Sequence, residues 1–174
     1  MSKTELTRQV ESALWRHNNE QGTFGCFEVT IGWFGKEIVD FITYKTNGEF
    51  RCYEIKVSVS DFNSKANLSF CGDFNYYVIP NCLLDDLRKD TAKRFGKDDL
   101  TLFDKRIKNS GIGLVTVSEH GDLDCLIKAK RKPVNHGTRA TLLESMVRSL
   151  NREVKKFYVN EPYWTIKESA AHEQ

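Results

Sequence analysis

Two acidic residues and a lysine have the types and spacing of a small hydrolytic site. Asp40 lies in the run Ile38-Val39-Asp40-Phe41-Ile42, and Glu54-Ile55-Lys56 follows fourteen residues later. Side chains alternate along a strand, so Glu54 and Lys56 share one face. Carboxylates can hold Mg²⁺, and an ammonium can steady an attacking water or the charge on a phosphate. The pattern predicts metal-assisted phosphodiester hydrolysis, and the competing interpretation is a weak surface ion pair on an exposed strand.

The loop between the two runs decides whether these residues can meet. A two-residue loop at Asn47-Gly48 would set Asp40 opposite Ile55, and Asp40 would then point away from Glu54. A three-residue loop, Thr46-Asn47-Gly48, sets Asp40 directly opposite Glu54 and places glycine at the left-handed last position. The hydrolytic interpretation therefore predicts the three-residue loop, or a bulge with the same effect.

The composition is that of an ordinary globular domain. The chain has 174 residues, of which 40% are hydrophobic and 29% are charged, so we expect one domain over residues 1–174. No apolar run is long enough to cross a bilayer, and no apolar signal segment follows Met1, which favours the cytoplasm. The five cysteines form no CxxC pair, so free thiols are expected in place of a disulfide framework or a zinc site.

Hydrophobic periodicity predicts a mixed α/β domain with a core over about residues 5–130. A helix is expected over Lys3–His17, with Glu11 bordering its apolar stripe, and a short helix from Phe62 to about Asn67 with Ser60 or Asp61 as its N-cap. The charged stretch between Arg94 and Asn109 has no clear assignment. Strands are expected at residues 24–31, 38–44, 50–57, 74–79, 111–117 and 123–129, with a helix at residues 82–89.

The C-terminal part predicts a helix over about residues 138–157, because apolar residues recur there at steps of three and four. This helix is a candidate interface for a homodimer. The net charge is only +2, but positive residues are concentrated in two places that could bind a phosphate backbone. The candidate nucleic-acid contacts are Lys128, Lys130, Arg131 and Lys132 before the helix, and Arg148 and Arg152 on it.

These residues together resemble the PD-(D/E)xK nuclease superfamily. Asp40 matches the acid of its second core strand, and Glu54-Ile55-Lys56 matches the Glu-x-Lys of its third. The stretch from Tyr53 to Phe62, followed by Phe74-Asn75-Tyr76-Tyr77-Val78-Ile79-Pro80, is similar to the MmcB-like DNA-repair branch and to related phage-borne proteins. The resemblance covers about residues 5–130 and is strongest over 38–80. Val39 departs from it, since proline is common at that position.

The resemblance implies a restriction-endonuclease-like core, in which a central mixed sheet is flanked by helices, and a Mg²⁺-dependent DNA nuclease for which Mn²⁺ can substitute. It assigns catalysis to Asp40, Glu54, Lys56 and Glu11, and metal binding to the same three acids with the carbonyl of Ile55. Glu5 competes with Glu11 for the helical position. Glu28 and Glu37 are further acids that could join the metal shell.

Two rival functions come from other classes. One is a DNA-binding module of the same fold that does not cut, and the other is an interaction protein such as a phage factor that engages a host protein. No element for reading particular bases stands out, so structure-selective or weakly specific action on DNA, in repair, recombination or phage DNA processing, is expected of the nuclease.

Overall fold

The computed structural model describes residues 4–32, 35, 37–64 and 70–161. Across these residues six strands form one mixed sheet in the order β1-β2-β3-β4-β5-β6. Neighbouring strands are antiparallel except for the parallel pairs β3–β4 and β4–β5. The strands are β1 Thr23–Thr30, β2 Ile38–Lys45, β3 Phe50–Ile55, β4 Phe74–Pro80, β5 Gly113–Val117 and β6 Leu123–Ile127.

Helices cover both faces of the sheet, which confirms the predicted α/β class with a central mixed sheet and a C-terminal helix. On one face α1 packs Val10 and Leu14 against Phe41 and Tyr53. On the other face α5 packs Leu142 against the strands, and α3 and α4 cover the neighbouring part of that face. The helices are α1 Glu5–Asn18, α2 Val59–Phe62, α3 Leu84–Arg94, α4 Leu102–Ser110 and α5 His136–Asn160, with a 3₁₀ turn at Asn81–Leu83.

Most predicted elements are found with small shifts at their ends. The main addition is α4, which lies in the charged stretch that had no clear assignment. This helix is stabilised by burial of Phe103 and Ile107 against the sheet. The many charged residues around these two obscure their helical spacing in the sequence. Among the helices described, none is long and apolar enough to be a candidate for crossing a membrane.

The C-terminal helix differs from expectation in the face that it buries. The side chains buried on α5 are Leu142, Ser145, Met146 and Ser149. Small serines allow a helix to lie close to the sheet, and the Ser145 hydroxyl accepts a hydrogen bond from the Gly32 amide at 3.0 Å. The apolar stripe from which the helix was predicted is instead largely exposed. It consists of Leu143, Val147, Leu150, Val154 and Phe157. A homodimer through this helix stays a prediction.

The hairpin between β2 and β3 has the predicted three-residue loop. Lys45 and Glu49 close it, since the Lys45 amide donates to the Glu49 carbonyl at 2.9 Å. The Gly48 amide donates to the Lys45 carbonyl at 2.8 Å, and Gly48 has a φ of +86°. The register runs from Tyr44↔Phe50 to Phe41↔Tyr53, and Asp40 and Glu54 are the next residues beyond this last pair.

A buried aspartate fixes the other end of the same strands. Asp73, just before β4, accepts hydrogen bonds from the Phe50 amide at 3.0 Å and the Val134 amide at 3.4 Å. Its carboxylate also pairs with Arg139 of α5 at 2.7 Å, and Arg139 donates to the Gly48 carbonyl. The hairpin loop, the start of β4 and α5 are therefore tied to one side chain.

Replacing Gly48 tests the loop that sets the register. Nothing lies within 4 Å of a Cβ added there, so the cost of Gly48→Ala is that of a positive φ alone. We expect a loss of about 1 kcal/mol in the free energy of unfolding, measured by urea denaturation. Gly137→Ala is the matched control, because Gly137 lies in the first turn of α5 and alanine favours a helix. A Gly48→Ala protein as stable as the wild type would contradict this account.

Replacing Asp73 tests the tie between the hairpin and α5. Asp73→Ala leaves the Phe50 amide without its acceptor and Arg139 without its carboxylate partner, and we expect it to lower the free energy of unfolding by about 3 kcal/mol. Asp85→Ala removes an exposed partner of Arg88 and should change stability by less than about 0.5 kcal/mol. Equal effects of the two substitutions in urea denaturation would refute the structural role of Asp73.

Candidate functional site

Asp40 occupies the point at which β2 and β3 separate. The last paired residues are Phe41 and Tyr53, and beyond them the Asp40 carboxylate accepts a hydrogen bond from the Ile55 amide at 2.8 Å. A side-chain oxygen therefore takes the place that a backbone carbonyl would fill in a continued ladder. The contact holds the Asp40 carboxylate at the carboxyl end of β3, beside Glu54-Ile55-Lys56.

Lys56 is the first residue after β3, and its ammonium has a fixed position. The residue is buried, its amide donates to the Val78 carbonyl at 2.9 Å, and Nζ lies 3.3 Å from Oδ1 of Asp61. Asp61 in turn accepts from the Val57 amide at 3.3 Å. Burying an ammonium is costly, so a buried lysine paired with an acid has either a functional or a packing role. Besides its pairing with Asp61, the Lys56 ammonium acts electrostatically on the Asp40 carboxyl.

The short helix α2 supplies Asp61 and corrects the predicted cap. Ser58 is the N-cap, because its hydroxyl accepts from the Asp61 amide at 3.1 Å, whereas Ser60 and Asp61 were the expected caps. The cap lies earlier because the chain turns immediately after the buried Lys56. The predicted end of this helix, residues 65–67, lies outside the described residues. The serine three positions before Asp61 is the sequence signal for this arrangement.

Three charged neighbours act on the Asp40 carboxyl. Burial raises the pKa of Asp40, while the Ile55 amide and the Lys56 ammonium oppose this rise. The negative charges of Asp61 and Glu11 raise the pKa of Asp40 further. The pKa of this carboxyl is above its usual range, and other acids lie near it. A bound cation would relieve the repulsion between them.

The helical acid near the site is Glu11. It is half-buried on α1, and it acts electrostatically on Asp40. Glu5 is exposed at the start of α1 and lies 3.5 Å from Arg8. Glu11 is therefore within electrostatic range of Asp40, whereas Glu5 pairs with Arg8 at the start of α1.

Glu54 is buried, and its charge acts on a tyrosine of β4. In the parallel register Glu54 pairs with Tyr77. Burial raises the pKa of Tyr77 to about 12, and the charge of Glu54 adds to this rise. Glu54 therefore shares the side of the sheet with Tyr77, which packs against α3 and α4.

The acids do not form a ready-made metal cage. Within the described ranges, no three His, Cys, Asp or Glu side chains converge closely enough to hold a metal ion between them. Mg²⁺, however, usually keeps several waters and needs only one or two carboxylates, with substrate phosphate completing its shell. Asp40, Glu11 and the Ile55 carbonyl supply the hard oxygen donors that such an ion prefers, so the donor chemistry fits Mg²⁺.

A strained residue and a cavity lie next to this group. Glu28 is opposite Asp40 in the β1–β2 register and has a φ of +51°, which is uncommon for a residue other than glycine. A cavity of about 330 Å³ is lined by Glu11, Glu28, Trp15 and Arg152, among others. Glu28 therefore borders the site, whereas Glu37 is an exposed residue just before β2.

The basic run after β6 lies at the opposite end of the sheet. The Lys132 amide donates to the Asp73 carbonyl at 2.7 Å, and Asp73 precedes Phe74, which pairs with Arg51. Arg51 is four residues before Ile55, which separates the two ends by about 13 Å at roughly 3.3 Å per strand residue. The exposed cations Lys128, Lys130, Arg131 and Lys132 therefore do not line the candidate site.

The two arginines of α5 that were predicted to contact DNA, Arg148 and Arg152, have different surroundings. Arg148 donates to the Gly32 carbonyl at 2.7 Å and to Ser145 at 3.3 Å, so it anchors the connection after β1. Arg152 is exposed and donates to the Glu28 carbonyl at 3.3 Å and to Glu153 at 3.0 Å. Of the six predicted nucleic-acid contacts, Arg152 borders the cavity beside Glu11.

Comparisons with known proteins support the fold and do not name a function. No family model matches the chain, and no curated protein matches it. A solved structure of a protein of unknown function from Silicibacter pomeroyi is similar, with a TM-score of 0.65 and 14% identity. The match covers 94% of this chain and 97% of that protein.

The environment of Asp40 predicts that this residue opposes stability when no cation is present. Because the pKa of Asp40 is raised, folding disfavours its ionised form, and the cost is present at pH values above that raised pKa. Asp40→Asn keeps an oxygen for the Ile55 amide and removes the charge, so its Tm in EDTA at pH 7 should exceed that of the wild type. Thermal unfolding should also show that Mg²⁺ raises the Tm of the wild type and leaves that of Asp40→Asn unchanged.

Asp122→Asn, at an exposed position in the β5–β6 turn, controls for the loss of any negative charge. A lower Tm for Asp40→Asn in EDTA would mean that the carboxylate is a structural group. A Mg²⁺ response that survives in Asp40→Asn would place the ion elsewhere.

Proposed function

We propose that this protein is a Mg²⁺-dependent DNA nuclease that hydrolyses phosphodiester bonds. The observation that carries the proposal is the grouping of Asp40, Glu11 and Lys56 at the carboxyl end of β3, fixed by the Asp40–Ile55 hydrogen bond. Two acids and a buried ammonium next to exposed surface are the parts that phosphodiester hydrolysis needs. The resemblance of the same residues to the PD-(D/E)xK superfamily supports the proposal independently of this geometry.

The proposed metal ligands are Asp40, Glu11 and the Ile55 carbonyl, with Glu54 as a further acid on the adjoining residue. When bound, Mg²⁺ would supply Lewis acidity at a phosphate oxygen and lower the pKa of a bound water. The chain itself holds the Asp40 carboxylate in place by partly burying it and by hydrogen-bonding it to the Ile55 amide of β3. Burial is the main cause of the raised pKa of Asp40, and the negative charges of Asp61 and Glu11 add to it.

Lys56 is the proposed electrostatic catalyst. Its ammonium is close enough to affect the Asp40 carboxyl, and Asp61 holds it at 3.3 Å. A fixed positive charge offsets the negative charge that grows on a phosphate as water attacks, and it needs no reorganisation at that moment. Asp61 is a positioning residue, because it acts through Lys56.

The proposed substrate is DNA recognised by shape and charge, in repair, recombination or phage DNA processing in the cytoplasm. Arg152 borders the cavity beside Glu11, where it could contact the backbone of a strand that enters the site. The exposed cations that follow β6 could bind a more distant part of the same duplex. Contacts of this kind position a substrate without reading its bases.

A DNA-binding module that does not cut is the second candidate function. The observation in its favour is the concentration of exposed cations after β6, at the end of the sheet away from Asp40 and Lys56. Such a surface would bind DNA with an affinity that falls steeply with salt, whether or not the acids hold a metal.

A cleavage assay separates these functions. The protein is incubated with labelled linear, flapped, four-way-junction and single-stranded DNA in Mg²⁺, Mn²⁺ or EDTA. We expect cutting with either metal, none in EDTA, and a loss on the order of 10²-fold or more in rate for Lys56→Met, because one preorganised charge is removed. Lys105→Met, at an exposed position on α4, is the matched control and should cut at the wild-type rate.

Circular dichroism and thermal unfolding of both variants show whether an inactive protein is folded. Cutting by folded Lys56→Met at the wild-type rate would refute the role given to Lys56. Salt-sensitive DNA binding without cutting under any metal condition would favour the binding module.

A further inference from the structure

Two of the five cysteines lie close together outside the proposed site. The sulfurs of Cys52 and Cys71 are 3.7 Å apart, in hydrogen-bonding range for thiols. The backbones are also close, because a Cβ added to Gly72 would lie 3.0 Å from the Cys52 amide nitrogen and 3.1 Å from its sulfur. Small movements of side chains can therefore bring the sulfurs to the distance of about 2.0 Å found in a disulfide.

The two thiols differ in access, as the two partners in an oxidation must. Cys52 is fully buried in the middle of β3, whereas Cys71 is half-buried and lines a surface cavity of about 300 Å³ with Phe70, Gly72 and Lys132. A small oxidant can reach Cys71 through this cavity but cannot reach Cys52 directly. The remaining thiols with an exposed position, Cys82 and Cys125, have no sulfur partner in the part of the chain described.

Access decides which thiol reacts first. Cys71 is the half-buried member of the pair and lines the surface cavity, so it is the thiol that can lose its proton to solvent. Thiolates are the form that attacks peroxides. The buried Cys52 sulfur, 3.7 Å away, is then in position to react with the oxidised Cys71.

We propose that Cys52 and Cys71 form a modification site, a dithiol that hydroperoxides convert reversibly to an intramolecular disulfide. The Cys71 thiolate attacks one peroxide oxygen, the O–O bond breaks, and the chain carries a sulfenic acid while water or alcohol leaves. The Cys52 sulfur then attacks the sulfenic sulfur, the S–O bond breaks, and a second molecule of water leaves as the S–S bond forms. The two thiols lose two electrons and two protons, and the peroxide takes them up.

The bond would link β3 to the segment that leads into β4. Cys52 precedes Glu54 by two residues on the strand that carries the candidate site, and Cys71 adjoins Gly72 and the buried Asp73. The closed loop spans residues 52–71, a length at which a disulfide stabilises mainly by restricting the unfolded chain. The oxidation does not depend on the proposed nuclease function.

The test treats the reduced wild-type protein with a small excess of hydrogen peroxide, quenches with catalase, and counts free thiols after denaturation. We expect the count to fall from five to three. Peptide mass mapping without reduction should show one cross-linked species that contains Cys52 and Cys71, and dithiothreitol should restore all the thiols. The Tm of the oxidised protein should rise by roughly 10 °C, as expected for a closed loop of this length.

Variants assign each step. Cys71→Ser should abolish the rapid loss of thiols, Cys52→Ser should leave a sulfenic acid on Cys71 that dimedone traps, and Cys125→Ser should react like the wild type.

The proposal is overturned if mapping of the wild type finds both cysteines still reduced while Cys82 or Cys125 is oxidised. It is equally overturned if the only disulfides join separate molecules. Both decisions rest on the wild-type protein, so a variant that fails to fold does not affect them.

Discussion

The register of the β2–β3 hairpin is the constraint on which the candidate site depends. A loop of three residues, closed by Gly48 in a left-handed conformation, makes Phe41 and Tyr53 the last pair, with Asp40 and Glu54 as the next residue on each strand. Because side chains alternate with a period of two, a slip of one residue would turn Asp40 to the other face. β2 and β3 also separate beyond the Phe41–Tyr53 pair, on the side of Asp40. The Ile55 amide is therefore free to donate to the Asp40 carboxylate. One turn thus determines which residues of β2 and β3 adjoin each other where the two strands separate.

The ionised Asp40 carboxylate destabilises the fold locally, and the stability of the rest of the fold offsets this cost. Burial and two neighbouring acids disfavour its ionised form, while Lys56 and the Ile55 amide compensate for part of that cost. An arrangement that is unfavourable for stability alone is expected where a bound cation or substrate would complete it. The positive φ of Glu28, opposite Asp40, is a second local strain at the same end of the sheet.

The two ends of the sheet have separate physical roles. At the amino ends of β3 and β4, Asp73 accepts hydrogen bonds from the main chain and from Arg139, and the Cys52–Cys71 pair lies nearby. This end is closely connected to α5 and the hairpin loop, so it can hold the strands in a fixed position. The carboxyl end of β3 is where β2 separates from it and where the candidate site lies, and ligand sites of open α/β sheets usually lie at the carboxyl ends of strands.

The sequence by itself determined the features that depend on local spacing. These include the hairpin loop, the position of Asp40 on β2, the helix α1 and the α/β class. Tertiary structure decided everything that joins distant segments, because spacing does not specify which surfaces meet. It brought Glu11 within electrostatic range of Asp40, placed the basic run after β6 at the far end of the sheet, and buried the serine-containing face of α5. The bond between Asp73 and Arg139, 66 residues apart in the chain, has no local pattern at all. Periodicity defines the faces of an element, and only packing chooses which face is buried.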